Sequence, residues 1–365
     1  MTQPIAVSNE LPCTDMLKHR LRHVLSWIMM SVVLSFSSTS CQQDNDIIAL
    51  YLNSDQVHTQ CIWDKAPHCA FTDLIEYNSR LYCCFREAKA HIPERIEDHG
   101  VIRLLESSDG EHWHDCGTIR ESEYDLRDPK LSVTPDNRLM LMYGRYLKDT
   151  PEEPYPWTAV KFLTDDEIER GRINNSNIRN INIEDNPRLS NYWLWRIKWV
   201  DGTAYGVAYK TDQLPLLVKS TDGINYTIVT VLEAMGNEAD IEPLPDGNML
   251  MVMRAQSGNG FIGHSAPPYD SWTWQETNHL IHCPAIITAD DDVFIAGRST
   301  FGTALFFYKN NNIMPAVAIP SVGGDDAYPG IICRNNDELW ITYYGASHNG
   351  ISIFIATISL NELKN

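Results

Sequence analysis

Several common signatures are missing from this chain, and each absence removes a class of function. There is no Gly-rich phosphate loop and no His-Glu-x-x-His motif, so nothing points to nucleotide chemistry or to that type of zinc hydrolase. No required cofactor and no catalytic metal are expected; a structural Ca²⁺ is compatible with the fold read below. No Cys-x-x-Cys spacing occurs, and the seven cysteines beyond Cys41 are an odd number. They read as small buried hydrophobes rather than a disulfide framework or metal site. Positive charge is scarce: 29 Lys and Arg stand against 48 Asp and Glu, for a net charge of −19. A phosphate-binding surface needs the opposite balance, which excludes nucleic acid as a partner. An acidic protein that takes an anionic ligand must gather arginines locally. Sustained helical periodicity is also nearly absent, with "DDEIERG" (165–171) the one short helical stretch. The longest apolar run, "VLSWIMMSVVLSF" (24–36), has 13 residues, short of the ~20 needed to span a bilayer.

That run belongs to a leader. The basic "KHRLRH" (18–23) precedes it, and the small residues of "SSTSC" lead to Cys41 and polar "QQDND". This reads as an export signal. It resembles a bacterial lipoprotein signal, which implies that Cys41 is lipidated and that the protein is periplasmic or anchored to the outer membrane of a Gram-negative bacterium. Residues 1–15 fit no part of such a signal, which makes Met16 a candidate start. The expected organisation is a signal over 1–41 and one domain over 42–365.

The remainder is rich in core material: 43% hydrophobic, with ten Trp and sixteen Tyr. Short apolar runs alternate with turn clusters such as "YNSR", "TPDNR", "LPDGN" and "RNND", an all-β pattern. Aligning each hairpin on the first apolar residue after its turn gives "LYCCFR" (81–86), "LMLMYG" (139–144), "AYGVAY" (204–209), "MLMVMR" (249–254), "VFIAGR" (293–298) and "LWITYY" (339–344). Successive copies lie 58, 65, 45, 44 and 46 residues apart. Repeats of this length are the signature of a β-propeller, so six blades are expected. "DTPEEPYPW" and "NNSNIRNINIEDNP" read as loop insertions, and "DIIALYL" (46–52) as the strand that closes the ring on the last blade. "SSDGEHW" (107–113) and "STDGINY" (220–226) share Ser-x-Asp-Gly-x-x-aromatic, in which side chains bond the turn's own amides.

Counting eleven residues back from the aligned positions finds Asp128, Glu238, His282 and Tyr328. All four are polar groups at the start of a strand expected nearest the axis. The hairpin ends supply Arg86, Arg254 and Arg298. One face of the funnel therefore collects acids, a His and a Tyr among arginines. Arg127 in "LRDPK" and Arg196 in "YWLWRIKW" (192–199) are further candidate substrate contacts.

On these residues the chain resembles the sialidase (neuraminidase) superfamily of six-bladed propellers, whose Asp boxes the two Ser-x-Asp-Gly turns match. The resemblance covers about residues 60–360. It implies an exo-glycosidase that releases a terminal acidic sugar, sialic acid first, from a glycan. Arg86, Arg254 and Arg298 would clamp the sugar carboxylate, since a guanidinium fork matches a carboxylate better than an ammonium does. Tyr328 would be the nucleophile and Glu238 its base, because an anionic nucleophile is repelled by a carboxylate on the anomeric carbon. Asp98 would be the acid/base, with Glu97 and Asp128 as competing acids. A monomer is expected, touching membrane only through its anchor. Two alternatives stand beside this reading: the same fold acting on a uronic-acid-type sugar, and a non-catalytic surface glycan-binding protein.

Overall fold

The computed structural model describes residues 54–147, 157–321 and 325–363, and the elements named below lie within them. Hydrogen bonding groups the strands into five sheets, of eight, five, four, four and four strands. The largest is two antiparallel blades joined by one parallel pair, His68 with Ile351, so the strands make six four-stranded blades. Blade 6 contains β1 (His58–Trp63); blade 1 is β2 (His68–Tyr77), β3 (Arg80–Ala88), β4 (Val101–Ser107) and β5 (His114–Ile119). Blade 2 is β6 (Asp125–Val133), β7 (Leu139–Tyr146), β8 (Thr158–Phe162) and β9 (Arg179–Asn180). β10 (Asn182–Ile183) borders blade 3, which is β11 (Trp193–Val200), β12 (Thr203–Tyr209), β13 (Leu216–Ser220) and β14 (Asn225–Val231). Blade 4 is β15 (Gly236–Pro243), β16 (Met249–Ala255), β17 (Phe261–Ser265) and β18 (Thr273–Glu276). Blade 5 is β19 (His282–Ala289), β20 (Asp292–Ser299), β21 (Gly302–Lys309) and β22 (Asn312–Ala318). Blade 6 is completed by β23 (Ala327–Arg334), β24 (Glu338–Ser347) and β25 (Gly350–Ser359). The first strands β2, β6, β11, β15, β19 and β23 contact one another in ring order and surround the axis.

The second strands read as unbroken apolar runs because both faces are covered by neighbouring blades. In β16, Met249 through Met253 are all buried. The ring closes through β1, which pairs antiparallel with β25 from His58↔Thr357 onward. The closing strand is thus 58–63; "DIIALYL" lies outside the described residues. Closure of this kind removes the exposed edge that an open sheet would present. The stretch expected to be a loop insertion at "NNSNIRNINIEDNP" instead supplies β9, the outer strand of blade 2, and β10, which adds to blade 3. α1 (Asp165–Arg170) begins at a Thr164–Glu167 capping box. Both Ser-x-Asp-Gly turns form as the sequence suggests. The Ser107 and Ser220 hydroxyls accept from Gly110 and Gly223 amides at 2.8 and 2.9 Å. All seven described cysteines are free; five are buried, Cys61 is exposed and Cys333 is half-buried.

One irregularity recurs in every blade and positions the site. Each inner strand carries a β-bulge at which two residues oppose one on the second strand. The bulged pairs are Phe71–Thr72, Asp128–Pro129, Trp195–Arg196, Asn237–Glu238, Cys283–Pro284 and Tyr328–Pro329. Phe71, Asp128, Cys283 and Tyr328 have φ of 63°, 46°, 47° and 47°, a strained left-handed conformation for such residues that only a tightly packed surrounding maintains. In blades 2, 5 and 6 a proline fills the second bulge position, where no ladder N–H is required.

Candidate functional site

The bulges turn Tyr328 and Glu238 toward each other across the axis. Tyr328 donates its phenol proton to Glu238 Oε1 at 2.6 Å, well within reach for proton transfer. Arg254, the single residue opposite the Asn237–Glu238 bulge, donates through Nη1 to both Glu238 oxygens at 3.1 Å. Cys283 supplies a third contact, its amide donating to Glu238 Oε2 at 3.2 Å, while its sulfur accepts from the Tyr328 amide at 3.3 Å. Burial, and next the adjacent Glu238 charge, push the Tyr328 phenol well above its ordinary value. Tyr328 therefore ionises only if its proton passes to a neighbour, and Glu238 is placed to take it.

Arg298 lies over the Tyr328 ring, Cζ to centroid 5.5 Å, and bonds the Asp326 carbonyl and the Tyr344 hydroxyl. Its side chain is 26% exposed and that of Arg254 29%, so both reach solvent beside the tyrosine. His282 pairs with Arg298 across β19 and β20. Burial, then the charge of Arg254, lower its affinity for a proton. The count from the turns placed His282 on the axis, but Cys283 holds that bulge and His282 lies one residue before it.

Arg86 departs from the expected clamp. Its side chain is 0% exposed, and its Nε and Nη2 both bind Asp125 Oδ1, at 3.1 and 2.7 Å. Arg127 takes the other Asp125 oxygen at 2.7 Å and stacks on Tyr146. A Cβ at Gly100 would stand 2.3 Å from Arg86 Nε, so only glycine lets that amide bind Asp125 as well. Asp125 carries no signal in the hairpin register; its position two residues before Arg127 was the only hint. Arg86 is thus a buried structural cation, and the described clamp candidates are Arg254 and Arg298.

Asp98 and Glu97 lie in a short turn after β3, where Asp98 pairs with Lys89 at 3.2 Å and Glu97 with Arg95 at 3.5 Å. Among the described residues, neither bonds Tyr328 or Glu238, whose side-chain partners are each other, Arg254 and the Cys283 amide. Asp128 sits at the blade 2 bulge, 6% exposed, where the Glu238 charge acts on it. Burial, reinforced by Glu238 against the opposing charges of Lys130 and Arg127, raises its carboxyl to about 6.

Arg196 belongs to the scaffold. It bonds Asp73 at 2.9 Å and the Pro329 carbonyl at 3.0 Å, tying blade 3 to blades 1 and 6. Beyond the bulges an axial cavity of about 290 Å³ is lined by residues of every inner strand, Asp73, Arg196, Lys198 and Asp240 among them. The Trp-rich segment divides in function: Trp195 is buried at its bulge, while Trp193 stacks on Tyr209 at 6.1 Å.

A metal, if one bound, would find His68, His91 and Asp325, whose ligating atoms lie within 4.8 Å of one another. The present hydrogen bonds oppose it. Arg86 Nη1 faces His68 Nδ1 at 3.4 Å, which makes Nδ1 the acceptor and places the proton on Nε2, toward Asp325. Asp325 accepts from His91 at 2.6 Å and from Tyr344 at 2.7 Å as well. Burial would raise its carboxyl, but these bonds outweigh it and hold the group far below its usual range. The three residues therefore work as a hydrogen-bonded clasp beside Arg298.

No family model matches the sequence, and no curated protein matches it. Solved structures do. A protein of unknown function from Dyadobacter fermentans superposes with a TM-score of 0.69 at 16% identity, over 83% of this chain and 99% of that one. An α-L-arabinofuranosidase from Fusarium graminearum gives 0.62 at 11%, over 85% and 100%. A Trypanosoma rangeli sialidase gives 0.56 at 10%, over 84% of this chain and 60% of the sialidase. At these identities the likeness establishes the shared propeller fold.

Proposed function

We propose that this chain is a glycoside hydrolase that releases a terminal acidic sugar with retention of configuration. The observation that carries the reading is the 2.6 Å bond from Tyr328 to Glu238, flanked by Arg254 and Arg298. Glu238 takes the phenol proton as the oxygen attacks the anomeric carbon, and a glycosyl–tyrosine intermediate forms while the aglycone leaves. Water then cleaves that intermediate and the proton returns. The two arginines hold the carboxylate beside the reaction centre, where a charge-assisted fork is strongest. The likeness to a solved arabinofuranosidase and a solved sialidase supports a glycan substrate.

A second reading is a neutral arabinose-type sugar cleaved by the carboxylates Glu238 and Asp128. It is favoured by the burial of Arg86, which leaves two arginines for an anion, and by the full-length match to an arabinofuranosidase. Aryl glycosides of sialic acid, glucuronic acid and α-L-arabinofuranose separate the readings. Turnover of an acidic glycoside, lost in Tyr328→Phe, supports the first; turnover of the arabinofuranoside alone supports the second. Glycan binding without turnover of any substrate identifies a surface lectin. We further propose export as a lipoprotein through Cys41, which lies outside the described residues. Cys41→Ser should move the protein from the membrane fraction to the soluble one, and a wild-type chain already soluble refutes the anchor.

A further inference from the structure

The reactive residues of the axis alternate around the ring. Blades 2, 4 and 6 contribute Asp128, Glu238 and Tyr328 at their bulges, while blades 1, 3 and 5 contribute Phe71, Trp195 and Cys283. The tyrosine and the glutamate bond each other, which leaves Asp128 as the other carboxylate at a bulge. We infer that Asp128, not the loop residue Asp98, is the proton donor to the leaving group; this rests on the glycosidase reading above.

A donor must reach the site carrying its proton and must hold no cation that would strip it. Most other carboxylates of the mouth are occupied by donors. Asp125 receives Arg86, Arg127 and the Gly100 amide. Asp325 receives His68, His91 and Tyr344. Glu238 receives Tyr328, Arg254 and the Cys283 amide, and Asp98 pairs with Lys89. Asp128 differs: its Oδ1 is buried and has no hydrogen-bond partner. The charged groups that act on it are Lys130, Glu238, Arg127 and Arg86, the last engaged by Asp125, and the Tyr209 and Tyr328 phenols also face it. Lys130 spends its ammonium on the Thr72 and Pro129 carbonyls, and Arg127 on Asp125 and the His91 carbonyl. Trp195 closes the apolar side, its indole N–H facing Asp128 without a hydrogen bond of good geometry. Burial keeps the proton on until the glycosidic oxygen takes it. In the step, the C–O bond breaks as Asp128 gives its proton to the departing oxygen, and the aglycone leaves as a neutral alcohol. Asp128, now a carboxylate, takes a proton from the water that cleaves the intermediate and is restored.

The test compares Asp128→Asn and Asp98→Asn on two glycosides of whichever sugar the wild type cleaves, one with a dinitrophenol leaving group and one with an alkyl alcohol. Asp128→Asn should lose roughly 10²- to 10⁴-fold on the alkyl glycoside and far less on the dinitrophenyl one. Its alkaline limb near pH 6 should vanish, and azide should restore turnover as a glycosyl azide. Melting at pH 5 checks that the variant is folded. The same pattern in Asp98→Asn, with Asp128→Asn near wild type, overturns the assignment. An equal loss on both substrates by a folded Asp128→Asn also overturns it, since that marks support of the pocket. A wild type that binds glycans but cleaves none removes the hydrolase reading itself, and the donor with it.

Discussion

Two walls of the same funnel use the same chemistry for different ends. On the wall of blades 4 to 6, Arg254 and Arg298 keep about a quarter of their side chains in solvent and border a Tyr–Glu pair. On the wall of blades 1 and 2, Arg86 is sealed and spends its fork on Asp125. All three arginines end the second strand of a hairpin, so sequence register cannot distinguish them. What separates them is the counter-ion. Glu238 is shared with a phenol and leaves Arg254 partly open, whereas Asp125 also binds Arg127 and the Gly100 amide and encloses Arg86. β15 repeats the lesson within one strand. Glu238, Asp240 and Glu242 each accept an amide from β19, at Cys283, Ile286 and Thr288. Such ties staple blade 4 to blade 5, and only the first of them meets a tyrosine.

Tyr328→Phe is expected to have the largest effect on this contrast. Turnover should fall by 10³-fold or more, about 4 kcal/mol of transition-state stabilisation, while ligand affinity and melting temperature stay close to wild type. Unchanged kcat would remove the nucleophile and leave Asp128 and Glu238 as the pair to examine. Next comes Arg86→Met, which leaves the buried Asp125 charge to Arg127 and the Gly100 amide; denaturant unfolding should record a loss of about 3 kcal/mol, the low end for breaking a buried pair. A stable Arg86→Met that instead loses affinity for the acidic sugar would restore Arg86 to the clamp.

The third effect is on pH dependence. Asp128 has a folded value of about 6 against about 3.9 in an unfolded chain. Between those values the folded state binds the extra proton, so stability falls as pH rises through the window, by roughly 3 kcal/mol in all. Asp128→Asn should remove this slope in melts between pH 4 and 7; an unaltered slope would mean that the carboxyl is not buried in solution. Smallest is Arg254→Lys, which keeps the charge but loses the planar fork. Calorimetry should show acidic-sugar binding weakened by about 1–2 kcal/mol, with neutral analogues unaffected. Equal loss for both classes of ligand would move Arg254 to the scaffold, alongside Arg86.

Much of this architecture can be read in one dimension. A blade's second strand is covered on both faces, so its residues must be apolar wherever they fall, and the run survives as a repeat that reveals the number and order of blades. Tyr328, Glu238 and Arg254 are likewise legible because each occupies a fixed place relative to a turn. The bulges were hidden in the count and betrayed only by the prolines at 129, 284 and 329. A two-against-one step shifts which residue faces the axis, which is how Cys283 rather than His282 comes to stand behind the tyrosine.

The chain alone therefore determined the inner and second strands of the blades, their sixfold repetition and the face where polar groups collect, since these follow from local periodicity and turn chemistry. Tertiary structure decided which charges are available. Arg86 and Asp125 lie 39 residues apart and in different blades, and Tyr328 and Glu238 lie 90 apart. Whether a guanidinium is sealed or open, and whether a carboxyl keeps its proton, depends on desolvation and on partners that only the closed ring brings within 3 Å.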